Sequence, residues 1–178
     1  MMRPVRFALA AVLSFSAGSA GSAGSAGCGV LDFDIEQPVD TQTIPGTGLP
    51  APLAEIFPLP LSIDLESKIE MKNLGPIDSV TLSSLALQIT SRDGDWAFVT
   101  RIAVSVESAK SGSKLPSVQI ASAASVGAMR IMTFDIKPGV NLKPYIDEGT
   151  KVVSRCTGVL PTSDVTFDGK AVFTVHPL

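Results

Sequence analysis

The chain has 178 residues, with 14 Lys and Arg against 17 Asp and Glu, a formal net charge of −3, and 45% hydrophobic residues. That length suits one domain around a single core, and the mildly acidic balance lacks the basic footprint of a nucleic-acid binder. Two cysteines and one histidine are too few soft donors for a structural zinc site.

The first element is an export signal. Arg3 and Arg6 precede an apolar run of nine residues, Phe7 to Phe15, interrupted only by Ser14, and four copies of Ser-Ala-Gly then run from Ser16 to Gly27. Charged, apolar and small-residue regions in that order define a secretory signal. A spanning helix needs about 20 apolar residues, so the run predicts a cleaved signal and not a membrane stop. The repeats end at Cys28. Ser25-Ala26-Gly27-Cys28 resembles the lipobox of bacterial lipoproteins, with small residues in place at Ala26 and Gly27 and Ser25 where that family carries an aliphatic residue. The resemblance implies that Cys28 takes a diacylglycerol, that the chain is cut before it, and that the new amine is acylated. In that family an Asp after the cysteine favours retention at the inner membrane. Gly29 stands there, which by resemblance points to the outer membrane. The competing reading is an ordinary secretory signal cut within the repeats, leaving a plain thiol at Cys28 in a secreted or periplasmic protein.

Removing residues 1–27 leaves 151 residues, with 12 basic and 17 acidic side chains and a net charge of −5. If Cys28 is acylated, Cys156 stands alone as a small buried apolar residue. From 28 to 58 the chain carries Pro38, Pro45, Pro50, Pro52 and Pro58 with Gly46 and Gly48, among Asp32, Asp34, Glu36 and Asp40. Proline fixes the backbone and removes donors, so this stretch reads as a tether without helix or central strand. Fully extended, it would reach roughly 90 Å at about 3.1 Å per residue. Its later half, with Leu49, Leu53, Ile56 and Phe57, is apolar enough to pack along a domain, as a short helix at Leu53 to Phe57.

The domain itself is expected over 59–178. Leu61, Ile63, Leu65, Ile69 and Met71 share one parity while Ser62, Asp64, Glu66, Lys68 and Glu70 share the other, as a half-buried strand requires. Asn73 to Pro76 is a turn. Val80 and Leu82 then lie on one parity and Leu85, Leu87 and Ile89 on the other, which predicts a bulge near Ser83 and Ser84. Asp93-Gly94 is a hairpin signal. Trp96, Phe98, Ile102, Val104 and Val106 follow in alternation, then a polar loop from Ser108 to Lys114, a short strand at Val118 and Ile120, and alternation again at Met132, Phe134 and Ile136. Leu142 to Glu148 offers one helical turn or a loop carrying Tyr145, Val153 to Val159 another strand, and Val165 and Phe167 lead through Asp168-Gly169 to Ala171, Phe173 and Val175. Seven or eight short strands with regular turn signals predict an all-β antiparallel sandwich, immunoglobulin-like or jelly-roll in outline. Ile69 to Ile77 followed by Val80-Thr81-Leu82 resembles the strand, Asn-Pro turn and strand of water-stress, late-embryogenesis type sandwiches, with Asn-Leu-Gly-Pro for Asn-Pro. That resemblance implies a binding or protective role.

The chemistry-bearing residues assemble no catalytic set. A hydrolase triad needs a histidine; His176, three residues from the end, sits on the polar parity of the last strand and reads as solvent-facing. Ser111-Gly112-Ser113-Lys114 fits Ser-x-x-Lys without its helix or its partner motifs. The carboxylate sets Asp32/Asp34/Glu36, Asp93/Asp95 and Asp147/Glu148 read as solvated or hairpin-tip residues, with a calcium loop the weaker alternative. Trp96 with Phe98 reads as a core anchor, not a sugar platform. No enzyme activity, cofactor or metal is expected. The expected function is a non-catalytic, lipid-anchored envelope protein, attached to a membrane through Cys28, whose sandwich binds a protein partner or supports the envelope. A carrier with an apolar ligand in a β-lined cavity is the alternative.

Overall fold

The computed structural model describes residues 31–47 and 76–178. Cys28, the short helix at Leu53 to Phe57 and the strand at Leu61 to Met71 lie outside the described residues. Eight strands and one helical turn follow in order: β1 (Phe33–Ile44), β2 (Ile77–Ile89), β3 (Val99–Ser108), β4 (Val118–Ala124), β5 (Ile131–Thr133), β6 (Asp135–Ile136), α1 (Lys143–Asp147), β7 (Thr150–Gly158) and β8 (Val165–Pro177). They pair antiparallel into two four-stranded sheets, ordered β1-β8-β2-β5 and β6-β4-β3-β7. The molecule is the all-β sandwich that the alternation predicts.

The inward positions of each strand form one buried cluster. Val165, Phe167, Ala171, Phe173 and Val175 line β8, Ile102, Val104 and Val106 line β3, and all are 3% exposed or less. On β2 the register against β8 shifts between Leu82 and Ser84, so Val80, Leu82, Leu85, Leu87 and Ile89 are all buried. The bulge sits where the parity change requires it: one extra residue turns the second apolar set to the core.

Two expectations are corrected. Residues 33–44, inside the stretch read as a tether over 28–58, form β1 and pair with β8 from Phe33↔Val175 to Ile44↔Val165. Ile35 and Val39 are buried and alternate with exposed Asp34, Glu36 and Asp40, so period-two patterning outweighs the proline. Pro38 is tolerated because β1 is the outermost described strand of its sheet, where a missing donor costs least. Asp93-Gly94 is not a hairpin tip, since β2 and β3 lie in different sheets; the loop crosses between them, carrying Trp96 into the core with its ring 5.7 Å from Phe98 and 5.5 Å from Phe167. His176 keeps the partly exposed place that its parity predicts, its side chain 32% exposed, and there it has partners. Its Nδ1 lies 2.9 Å from Asp32 Oδ2 and its Nε2 lies 3.4 Å from Thr81 Oγ1.

The alternation at Met132, Phe134 and Ile136 also resolves into two elements. β5 pairs with β2 in one sheet and β6 with β4 in the other, with Phe134 at the crossing, 4% exposed. The sandwich thus has two distinct ends. β1 and β2 begin, and β8 finishes, at the entry end; β1, β2 and β7 finish at the far end.

Candidate functional site

The far end carries a cleft of about 410 Å³ between the loop Asp93–Phe98 and the β7–β8 connection Val159–Val165. Two anchors fix the first wall. Trp96 donates from its indole to the Arg130 carbonyl at 3.1 Å, and the Arg130 guanidinium donates to the carbonyls of Ile89, Ser91 and Arg92 at 2.9, 2.6 and 2.7 Å. One planar five-donor group thus gathers the carbonyls at the end of β2 and just beyond it. Sequence reasoning passed over Arg130, because no local pattern announces a side chain that closes a loop 38 to 41 residues away.

The second wall is set by close backbone approach. Gly158 has φ 158° and a Cβ there would overlap the Phe98 carbonyl, so β7 ends tight against the start of β3, held by Val159 N–H to Phe98 C=O at 2.9 Å. The end of β1 passes equally close: Gly46 N–H donates to Asp164 Oδ1 at 2.8 Å, and Thr47 N–H donates to the Pro161 carbonyl at 3.1 Å. The cleft floor is apolar, from Phe98, Leu160 and Val165, each at most 8% exposed. Its rim offers Asp93, Asp95, Thr162 and Ser163, with Val159 47% exposed. Asp95 is partly committed, its Oδ1 accepting from Ala97 N–H at 3.0 Å. An apolar floor under an acceptor-rich rim suits a donor-bearing apolar side chain from another protein. Two further depressions, of about 380 and 370 Å³, lie on the outer face of the second sheet among Arg101, Gln119 and Asp135 and among Ser105, Glu107 and Arg155.

The other sequence-singled residues are dispersed. Asp32 meets His176, Asp34 Oδ1 accepts from the Thr174 hydroxyl at 2.7 Å, and Glu36 pairs with Lys170 at 2.9 Å, so that set does not converge. Ser113 and Ser108 donate to Glu148 Oε2 at 2.5 and 2.8 Å, with Lys110 Nζ 3.6 Å from Oε1. The Ser113 hydrogen bond first, then that from Ser108, holds the Glu148 carboxyl below its usual range. The carboxylate is therefore a staple between the β3–β4 loop and the start of β7, and Ser111-x-x-Lys114 is part of the stapled loop. Cys156 is a free thiol, 5% exposed. Burial pushes it up to about 11, which leaves it protonated and unreactive near neutrality. Among the described residues, no three His, Cys, Asp or Glu side chains converge as a metal site would need, and no helix is long and apolar enough to cross a membrane.

Compared with known proteins, the chain matches no family model and no curated relative.

Proposed function

We propose that this protein is a non-catalytic, lipid-anchored protein of the cell envelope whose β-sandwich binds a protein partner. The observation that carries the reading is the export signal of Arg3, Arg6 and the apolar run, ending in four Ser-Ala-Gly repeats that meet Cys28. An acylated cysteine gives an anchor without a spanning helix, each buried methylene contributing about 0.8 kcal/mol, and two or more chains hold stably. By its resemblance to lipoproteins, with Gly29 and not Asp after the cysteine, the address is the outer membrane.

Among the described residues, the two side chains with shifted ionisation are a staple, Glu148, and a buried thiol, Cys156. The far-end cleft has the floor and rim of a contact surface. No nucleic acid is involved in this reading.

The test is to replace Cys28 by Ala and fractionate the cells, with mass spectrometry of the purified wild type. The expected result is wild type in the membranes, beginning at an acylated Cys28, and the variant in the soluble fraction. A variant that stays with the membranes, or an unmodified Cys28, overturns the anchor. Gentle crosslinking before purification separates the roles: a captured envelope protein supports the partner module, while an apolar ligand recovered without one favours the carrier.

A further inference from the structure

The length of chain between the anchor and the first strand constrains how the domain sits. Only four residues, Gly29 to Asp32, separate Cys28 from Phe33, and Asp32 is already bonded to His176 at 2.9 Å near the finish of β8. The leash from Cys28 to Asp32 therefore spans at most about 14 Å at roughly 3.3 to 3.6 Å per residue. A 30-residue tether would have let the domain roam; this one does not. The side chains at the same end are suited to contact. Leu31 is 85% exposed and Leu178 is 74% exposed, and they stand just beyond the Phe33↔Val175 pairing of adjacent strands. Paired charges lie nearby, Lys143 with Asp147 at 2.6 Å and Lys110 with Glu148 at 3.6 Å beside the Asp32 and His176 pair, and exposed Asp78 and Lys114 carry opposite signs.

We infer that the entry end of the sandwich rests on the lipid surface, with Leu31 and Leu178 in the headgroup layer, and that the far-end cleft is held outward. The inference rests on the acylation of Cys28 proposed above. β8 is 13 residues long, so the cleft stands about 40 Å from the bilayer at roughly 3.3 Å per residue. Two isolated leucines hold weakly by themselves. They act because the anchor keeps them within reach of the interface, which raises their effective concentration there. Charges of mixed sign give the contact little dependence on salt, unlike a polybasic patch.

The chain contains one tryptophan, Trp96, fully buried at the far end, which provides an internal reference. The experiment uses the full acylated protein extracted from membranes and reconstituted in phosphatidylcholine vesicles containing brominated lipid, a short-range quencher. Wild type is compared with Leu178→Trp, a change at an exposed position that leaves the core untouched. The added emission of Leu178→Trp is expected to be blue-shifted and mostly quenched, at low and high salt alike, while the wild-type emission is unchanged. Inserting 20 Gly and Ser residues between Gly29 and Val30 is expected to abolish that quenching while the protein still floats with the vesicles. Protein that floats with its Leu178→Trp emission unquenched overturns the docking and leaves the anchor standing. Protein that does not float overturns both.

Discussion

Gly169 shows how one atom's absence decides a local fold. Its neighbours across the sheet are Leu87 on β2 and Val39 on β1, and a Cβ there would overlap the Ala86 carbonyl and come within 2.6 Å of Leu87 Cδ2. Leu87 is fully buried, so its side chain has little room to yield. Gly169→Ala is expected to cost about 2 to 3 kcal/mol, the upper range of overpacking, which lowers Tm by roughly 5 to 10 °C in a domain of this size. Thermal unfolding of the variant checks it, and an unchanged Tm would show that the sheet opens there at no cost. Asp168-Gly169 reads in the sequence like a turn. The glycine is there because two strands and a leucine converge on it, a non-local reason that no neighbouring residue reveals. His176 has the same history: its parity was legible, but its bond to Asp32 joins residues at opposite ends of the chain. Trp96 and Phe98, by contrast, were legible as core because their size and apolarity make burial the only stable outcome.

Elements were legible where the pattern of one strand is self-sufficient. The bulge in β2 follows from five apolar residues on two parities, whereas Leu142 to Glu148 reads equally as turn or loop; the structure forms the turn α1, with proline at its start, where the missing donor is harmless. Elements that depend on their neighbours were not. β5 and β6 look like one strand, yet their hydrogen-bond partners lie in different sheets. Loop order is likewise a matter of long-range bonds, and the β3–β4 loop supplies a test. Glu148 holds it through Ser113 and Ser108, and both bonds favour the ionised carboxyl. A carboxyl whose folded pKa is depressed stabilises the fold above its unfolded value and loses that contribution as pH falls through the folded value. The staple is therefore complete at neutral pH and releases only as pH falls below the ordinary glutamate range. Protection of the amides of residues 108–115, relative to their intrinsic exchange rates, is expected to fall there before the sheets open. In Glu148→Gln the same amides should be less protected already at pH 7, with no further loss of protection on acidification. Equal protection in variant and wild type at pH 7 would show that backbone bonds alone order the loop.

For the whole molecule, the decisive element is β1, because it sets where the fold begins. The prolines of residues 28–58 outvote the alternation of Phe33, Ile35 and Val39 when the stretch is read alone; with β8 as partner, the alternation wins, since ten residues of β1 find register opposites and Ile35, Val39 and Ile44 enter the core. A domain starting at 59 would leave the β8 edge exposed. That edge would lose a strand of backbone pairing and the cover of three buried side chains. Burying one such aliphatic side chain is worth about 1.5 to 3 kcal/mol, so their loss alone approaches the whole stability of 5 to 15 kcal/mol typical of a domain. A chain beginning at residue 45 is therefore expected to unfold without a cooperative transition or to aggregate through the bared β8 edge, while one beginning at residue 29 melts as the full mature chain does. Calorimetry of the two purified chains separates the readings: a truncated chain from residue 45 that melts cooperatively within a few degrees of the longer one would restore residues 33–44 to the role of a tether. It would lengthen the leash from Cys28 to more than a dozen residues and free the entry end from the lipid surface.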